Sequence, residues 1–214
     1  MYNFTKNQCD GANETGSSTA MELEEAKLCF HFLKDKGLSV DTFVSDRHKG
    51  IAKWIRQTQP RTIHFFDIWH VTRSIHKKLF KASKKKGLEK ITYWLKGVRN
   101  HLYWCVTSTV QGFKELILAK WKSFMFHVAD KRKHHPNSLF TTCAHEDISP
   151  RKWIKIGTKE HEKMSTILLN KRILNDIQNL SPDTQTSCLE GFHATLNFWH
   201  PKMLCFSWMG TFCR

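Results

Sequence analysis

The first third of the chain alternates between helical and extended hydrophobic patterns. Apolar residues recur every three or four positions over residues 19–36, which predicts a helix, and Gly37 stands where helices commonly end. Residues 38–45 alternate apolar with polar side chains and predict a strand. A second helix is expected over residues 49–57, and residues 62–69, rich in β-branched and aromatic side chains, predict a second strand. This order of elements is typical of an α/β unit.

Beyond His70 the pattern is helical almost throughout. Apolar residues recur at helical spacing over residues 71–82, 88–105, 113–128 and 164–177. The main interruption is a polar and irregular stretch between the last two of these segments. A last helix is predicted from Ser187 to about residue 199, because Ser187 and Glu190 have the spacing of a capping box. The sequence therefore predicts an α/β fold in which helix predominates.

Charge is distributed unevenly along the 214 residues. The formal net charge is +15, from 34 Lys and Arg against 19 Asp and Glu. Residues 1–46 have a net charge of −4, and residues 47–214 have +19. The segment 47–99 alone has 15 basic and two acidic residues, which is +13. A field of this sign attracts a polyanion, for which nucleic acid is the commonest candidate, and the alternative is a surplus of solvated lysines.

Several classes of protein are disfavoured by the sequence. The N-terminus lacks the basic start and apolar centre of a secretory signal, and no run of about 18 apolar residues is present. The seven cysteines are odd in number and irregularly spaced, which favours free thiols in a reducing compartment over a disulfide framework. We therefore expect no membrane partner.

The helix predicted after His70 has a basic face. At about 100° per residue, Arg73, Lys77, Lys81 and Lys84 fall together on the side opposite the apolar stripe. These side chains could contact DNA phosphates or act as a nuclear import signal. The alternative is an ordinary solvated helix face.

Acidic residues next to predicted strand ends are candidates for chemistry. Asp46 follows the first strand, and Glu190 lies on the last helix. Carboxylates from separate elements can hold Mg²⁺ against phosphate oxygens. The alternative is that Asp46 caps the second helix and Glu190 completes a capping box. Asp67 and His70 stand three residues apart at the second strand end, where they are costly to bury unless they are paired or used.

Three segments of the sequence contain these acids. They are SDRHKGIAKWIRQTQP, with Asp46; HFFDIWHVTRSIHKKL, with Asp67 and His70; and TSCLEGFHATLN, with Glu190. Together they resemble eukaryotic DDE transposases of the Kolobok and Mutator-like kind. The chain is especially similar to transposase-derived animal proteins, some of which carry a THAP zinc-finger domain. The resemblance extends from about residue 22 to the end.

The resemblance implies an α/β fold with an incomplete RNase H-like mixed sheet, interrupted by a large all-α insertion. Residues 1–70 would form a partial RNase H-like core, residues 71–185 the helical insertion, and residues 186–214 a C-terminal helix that returns to the core.

The resemblance also implies a role for each acid. Asp46 would be the second acid of the catalytic triad and Glu190 the last, and the two would be the protein's Mg²⁺ ligands. Asp67 and His70 would form the Asp-x-x-His motif of this family. In such enzymes Mg²⁺ activates water or a DNA 3′-hydroxyl for attack on phosphodiester bonds. The implied partner is DNA, with a homo-oligomer as a further option, and the implied location is the nucleus.

The first acid of the triad has no counterpart in the chain. The family places it on the first strand of the fold, and only 45 residues precede Asp46 here. We therefore expect an N-terminally truncated copy in which the ancestral Mg²⁺-dependent strand cleavage and transfer is inactive. The alternatives are a non-catalytic DNA- or protein-binding module of domesticated transposase origin, and a helical scaffold that binds no nucleic acid.

A zinc site is a further alternative in the sequence. Cys143 and His145 could bind Zn²⁺ together with His127, His134 or His135, because thiolate and imidazole suit this ion. The paired spacings of common zinc fingers are missing, however, and this argues against structural zinc.

Aromatic residues in the helical region also have two interpretations. They could stack on nucleic-acid bases, but their helical spacing favours a place in the core; the residues are Tyr93, Trp94, Tyr103, Trp104 and Trp121.

Overall fold

A computed structural model gives the fold over residues 17–110, 113–146, 148–181 and 187–199, with the side chains of Ser18 and residues 187–190 outside the described part. The chain divides into two compact units. The first comprises residues 1–64 and 186–214, and the second comprises residues 65–185. The chain passes from the first unit to the second within a strand.

Helix packing organises the first unit. Its elements are α1 (Ser18–Asp35), β1 (Thr42–Ser45), α2 (Lys49–Thr58), the start of β2 (Ile63–Phe66) and α8 (Ser187–Trp199). Helices α1 and α2 pack against each other. Ala26 on α1 and Ile51 and Ile55 on α2 form the buried cluster of this contact. The ring of Phe30 on α1 meets the rings of Phe43 and Trp54 edge to face at 5.3 and 5.1 Å.

Helix α1 ends at the predicted glycine. The N–H of Gly37 donates to the Lys34 carbonyl, and the N–H of Leu38 donates back to the Leu33 carbonyl, both at 2.9 Å. This hydrogen-bond pattern needs a left-handed residue, and Gly37 has a φ of +73°. At the other end, the Ser17 side chain accepts from the N–H of Ala20.

Strands β1 and β2 form a two-stranded parallel sheet. The N–H of Ile63 donates to the Asp41 carbonyl at 2.8 Å. Both strands are shorter than predicted. The second was expected to reach residue 69, but it stops at Phe66 because Asp67 caps a helix that begins at the next residue.

The second unit is a stack of helices. Its elements are the end of β2, α3 (Ile68–Ser83), a 3₁₀ helix (Glu89–Trp94), α4 (Leu95–Thr107), α5 (Lys114–His127), α6 (Lys159–Leu168) and α7 (Lys171–Ile177). Phe66 also forms a parallel bridge with Leu180, which follows α7. The apolar stripes predicted for these helices are buried in one core, which includes Val71, Ile75, Leu79, Leu102, Cys105, Trp121, Phe124, Met164 and Ile177.

Two helical predictions in this unit need correction. The stripe over residues 88–105 was expected to be a single helix, but its first turns are 3₁₀ up to Trp94. The stripe over residues 164–177 belongs to two helices, because the Asn170 side chain accepts from the N–H of Arg172 and starts α7 anew. The last helix, Ser187–Trp199, has its predicted bounds.

The fold is an α/β fold dominated by helix, as predicted, with a small parallel sheet. The larger mixed sheet of an RNase H-like domain stays a prediction. None of the helices in the described residues has both the length and the apolar character needed to cross a bilayer.

Candidate functional site

The two predicted catalytic acids belong to the first unit. Asp46 follows β1 directly, and its side chain is exposed. It is not the cap of α2, because the cap is His48, whose Nδ1 accepts from the N–H of Ile51 at 3.0 Å. Glu190 lies on α8, and its side chain is outside the described residues. The capping box with Ser187 therefore stays a prediction.

The Asp-x-x-His motif lies at the start of α3. Asp67 is the N-cap, and its Oδ1 accepts from the N–H of Trp69 at 3.3 Å. The residue is only 1% exposed, and its Oδ2 has no hydrogen-bond donor among the described residues. His70, one helical turn on, places Nε2 3.8 Å from that oxygen. A buried carboxylate oxygen without a donor is costly and suits a cation or a bound water.

The predicted basic face of α3 is confirmed as an exposed surface. The side of α3 that faces the core is mainly apolar, with Val71, Ile75, Leu79 and Ala82 buried, and it also buries the hydroxyls of Thr72 and Ser83. The four predicted cations lie on the opposite side, and all are exposed; they are Arg73, Lys77, Lys81 and Lys84. We call these four residues the basic face. No ion pair involves any of them within the described part of the chain.

Aromatic rings accompany the ends of the basic face. The Arg73 guanidinium lies over the Trp69 ring at 4.8 Å, and the Lys84 ammonium lies over the Phe80 ring at 4.5 Å. Trp69 and Arg73 also line a surface cavity of about 560 Å³ with Arg99 and Tyr103. Burial, and then the nearby Asp67 carboxylate, raise the pKa of Tyr103, so its hydroxyl stays protonated and can donate.

A cysteine and two histidines come together elsewhere in the second unit. The Sγ of Cys143 lies 3.7 Å from the Nδ1 of His127, and that nitrogen lies 3.1 Å from the Nε2 of His145. The three ligand atoms are all within 4.8 Å of one another. We call these three residues the Cys-His cluster.

Backbone hydrogen bonds hold the segment that carries the cluster. His127 is the last residue of α5, and the N–H of Ile154 donates to the carbonyl of the following residue, Val128. Farther along, the N–H of Cys143 donates to the Arg132 carbonyl at 2.8 Å, which brings Cys143 back beside the helix end. Cys143 and His145 then point their ligand atoms towards His127.

The surroundings of the cluster favour neutral ligands. Burial, followed by the positive potential of His145, Arg151 and Arg132, lowers the pKa of His127 to about 4. Burial raises the pKa of the Cys143 thiol. In the absence of a metal ion, therefore, neither residue carries its charge at neutral pH.

An aromatic cavity of about 420 Å³ adjoins the cluster. All three members of the cluster line it, and the rest of its wall includes His101, Trp104, Phe124 and Phe140. His101 is held in place by the Lys120 carbonyl, 2.8 Å from its Nε2, and burial lowers its pKa to about 4. A partly apolar pocket beside convergent polar atoms is a common form of ligand site.

The aromatic residues divide between the two interpretations of the sequence. Trp94 and Trp121 are core residues, as their spacing favoured. Tyr103 and Trp104 are partly buried against that core. Tyr93 is 60% exposed, with the Lys152 ammonium 3.7 Å from the centre of its ring.

The spacing of residues along the sequence gives little indication of the Cys-His cluster. Its members do not follow the paired spacings of zinc fingers, and the only local signal is the Cys143-Ala-His145 triplet. The third member, His127, ends α5, and the irregular segment of residues 128–158 brings Cys143 and His145 to it. The hydrophobic pattern does not predict how this segment folds. No family model, curated protein or solved structure matches the chain.

Proposed function

We propose that this chain is a transposase-derived, nuclear protein that binds DNA through the basic face of α3. The observation that carries the proposal is the row of four exposed cations, Arg73, Lys77, Lys81 and Lys84, on a helix whose other side is buried in the core. Such a row on a rigid helix can follow the phosphates of one DNA strand.

The charge of α3 is not neutralised locally. From Ile68 to Ser83 the helix contains no acidic residue. Solvated lysine faces are commonly interleaved with Asp or Glu at i±4 positions, which pair with them. An uncompensated row of cations keeps a field that extends about 8 Å at physiological salt, and this field favours a polyanion.

The N-terminal end of the basic face also suits nucleic acid. The Trp69 ring with Arg73 above it, and Arg99 across the same cavity, combine a stacking surface with two guanidinium groups. Phosphate oxygens pair with guanidinium groups, and bases or sugars pack on aromatic rings.

The resemblance to DDE transposases supports an ancestral RNase H-like fold and Mg²⁺ chemistry. Asp46 and Glu190 would hold the ion, since carboxylate oxygens are the ligands that Mg²⁺ prefers. When bound, the ion would polarise a phosphate and activate the attacking oxygen. The buried, donor-free Oδ2 of Asp67 is consistent with a role for this acid in addition to capping α3.

The DNA-binding proposal is tested by charge reversal. The triple variant Lys77→Glu, Lys81→Glu and Lys84→Glu should bind a fluorescent DNA duplex at least about tenfold more weakly than the wild type at fixed salt. The matched control reverses three exposed lysines off this helix, Lys122, Lys155 and Lys159, for the same change in net charge.

Equal losses in the triple variant and the control would assign binding to net charge alone and reject the basic face. No binding by the wild type at moderate salt would favour the helical scaffold.

Strand cleavage is tested separately. We expect no Mg²⁺- or Mn²⁺-dependent nicking of labelled DNA, because only two acids of the triad have counterparts. Nicking that disappears in Asp46→Asn would establish an active enzyme and overturn the inactive, DNA-binding role.

A further inference from the structure

We propose that the Cys-His cluster is a zinc site in which Cys143, His127 and His145 bind the ion and the fourth position is open to water. The inference goes beyond the DNA-binding function, because it uses no residue of α3. The spacing of Cys and His residues along the sequence argued against a zinc site, whereas their proximity in the fold favours one.

Ligand distances agree with a tetrahedral ion. Zinc bound at about 2.3 Å from sulfur and about 2.05 Å from nitrogen holds sulfur and nitrogen about 3.6 Å apart, and two nitrogens about 3.3 Å apart. The corresponding distances here are 3.7 Å from Cys143 to His127 and 3.1 Å from His127 to His145. The remaining pair, Cys143 and His145, lies within 4.8 Å. Two of the three distances therefore already match those around a bound ion.

The tautomer of His145 is suited to metal binding. Its Nδ1 lies 2.7 Å from the carbonyl oxygen of Glu146, which can only accept, so Nδ1 carries the ring proton. The other nitrogen, Nε2, then presents a lone pair towards His127. A backbone carbonyl on the far nitrogen is the usual way in which a metal-binding histidine is oriented.

The neighbouring His135 does not complete the ligand set. Its Nε2 lies 3.9 Å from the Cys143 sulfur, but it also faces the Lys131 carbonyl at 3.0 Å. That carbonyl fixes a proton on Nε2 and removes the lone pair that a metal would need. Three protein ligands therefore remain among the described residues, and the fourth position is free for water or a ligand in the adjoining aromatic cavity.

The segment that carries the cluster has a physical need for a cross-link. Residues 128–158 contain no helix or strand in their described part, which omits only residue 147. Ordered loops of this length lack the regular hydrogen-bond ladder of a helix or strand, so isolated backbone bonds such as that from Cys143 to Arg132 need further fixed points beside them. A metal bound by the last residue of α5 and by Cys143 and His145 would fasten the middle of this segment to the helix.

Zinc is favoured over other ions by the donor set. One thiolate and two imidazoles suit Zn²⁺, and they disfavour Mg²⁺ and Ca²⁺, which prefer oxygen. On binding, the Cys143 thiol loses its proton to solvent as the sulfur–metal bond forms. His145 is exposed, so the ion has a path of entry.

Cobalt titration of the untagged full chain, stripped of metal, tests the site. We expect Co²⁺ to give the visible absorption of a tetrahedral ion with a sulfur-to-metal charge-transfer band, saturating at one ion per chain, and Zn²⁺ to displace it. Cys143→Ser should abolish the charge-transfer band. His127→Gln and His145→Gln each remove a ligand and should weaken binding by at least the roughly 10–100-fold that loss of a ligand's outer-shell partner costs.

The controls are Cys29→Ser and His134→Gln, which change an exposed thiol and an exposed imidazole outside the cluster. Both should titrate like the wild type. Because His145 is exposed, its variant should keep the circular dichroism of the folded chain, so a loss of binding there cannot come from unfolding. No saturable band in the wild type, or the same band in Cys143→Ser, would overturn the proposal.

A second measurement follows the loop itself. Bound Zn²⁺ should slow tryptic cleavage after Lys133 and Arg151, both exposed in residues 128–158, and His145→Gln should abolish this protection. Equal cleavage with and without Zn²⁺ would contradict the proposed fastening.

Discussion

Trp121 gives the sharpest test of the second unit's core. It is 1% exposed on α5, and its indole N–H donates to the Leu168 carbonyl at 3.0 Å. Leu168 is the last residue of α6, so this bond satisfies one of the carbonyls that every helix end leaves without an internal partner. The perturbation is Trp121→Phe, which keeps an aromatic ring and removes the donor.

The expected cost follows from two terms. Loss of the hydrogen bond leaves the Leu168 carbonyl unsatisfied, which costs about 1–3 kcal/mol. The indole exceeds the phenyl ring by roughly 40 Å³, and at about 24 cal/mol per Å³ the cavity adds about 1 kcal/mol. We therefore expect the free energy of unfolding to fall by about 2–4 kcal/mol.

Urea unfolding followed by circular dichroism measures this loss. Tyr93→Phe is the matched control, because Tyr93 is 60% exposed and the change should stay within about 0.5 kcal/mol. The DNA affinity of folded Trp121→Phe should equal that of the wild type, because the ring is buried. A loss below about 1 kcal/mol, or a specific loss of DNA affinity, would refute the assignment of Trp121 to the core.

Three further predictions concern single polar residues. The pKa of His101 is lowered to about 4 in the folded chain, so the folded state binds fewer protons than the unfolded state between about pH 6.5 and 4. The free energy of unfolding should therefore fall by up to about 3 kcal/mol as the pH falls through this window. In urea titrations at several pH values, His101→Gln should make this fall smaller. Asp67→Ala should lower the free energy of unfolding by about 1 kcal/mol, because it removes the N-cap of α3. Asp67→Asn should keep the cap and lower the free energy of unfolding by less. Equal losses in the two variants would show that Asp67 does not stabilise the chain through the cap. Lys120 donates to Ser108 and Thr109 at the end of α4, so Lys120→Ala should lower the free energy of unfolding by about 2 kcal/mol. The control Lys122→Ala, at an exposed lysine, should leave the free energy of unfolding almost unchanged. Similar urea midpoints for the two variants would contradict this prediction.

Local pattern predicted most of the helices. The period of Val71, Ile75, Leu79 and Ala82 gave both the buried side of α3 and, by subtraction, its basic face. Gly37 marked the end of α1 because a left-handed residue was needed there. These features depend on residues within one or two turns of each other, which a sequence displays directly.

Other features depended on competition between neighbouring elements. Ile68 and Trp69 were predicted to lie in a strand, but they form the first turn of α3. The hydrogen bond from the Trp69 N–H to the Asp67 cap outweighs the β preference of these two side chains. Similarly, Asn170 divided a continuous apolar stripe into α6 and α7. In both cases one short side chain, bonding to a nearby backbone N–H, set the boundary.

The Cys-His cluster could not be predicted from spacing. His127 is brought to Cys143 by the hydrogen bond from the Cys143 N–H to the Arg132 carbonyl and by the fold of an irregular segment. Such a meeting is a property of tertiary structure. The sequence could offer only the residue types, and it favoured the simpler interpretation without metal.

The salt dependence of DNA binding tests the central claim most directly. Plotting the logarithm of the association constant against the logarithm of salt concentration should give a slope that is shallower by about 2.7 for the triple variant Lys77→Gln, Lys81→Gln and Lys84→Gln than for the wild type, since each lost phosphate contact removes about 0.9. The equivalent glutamine changes at Lys122, Lys155 and Lys159 should leave the slope unchanged. Identical slopes for all three proteins would contradict a DNA contact by the basic face of α3.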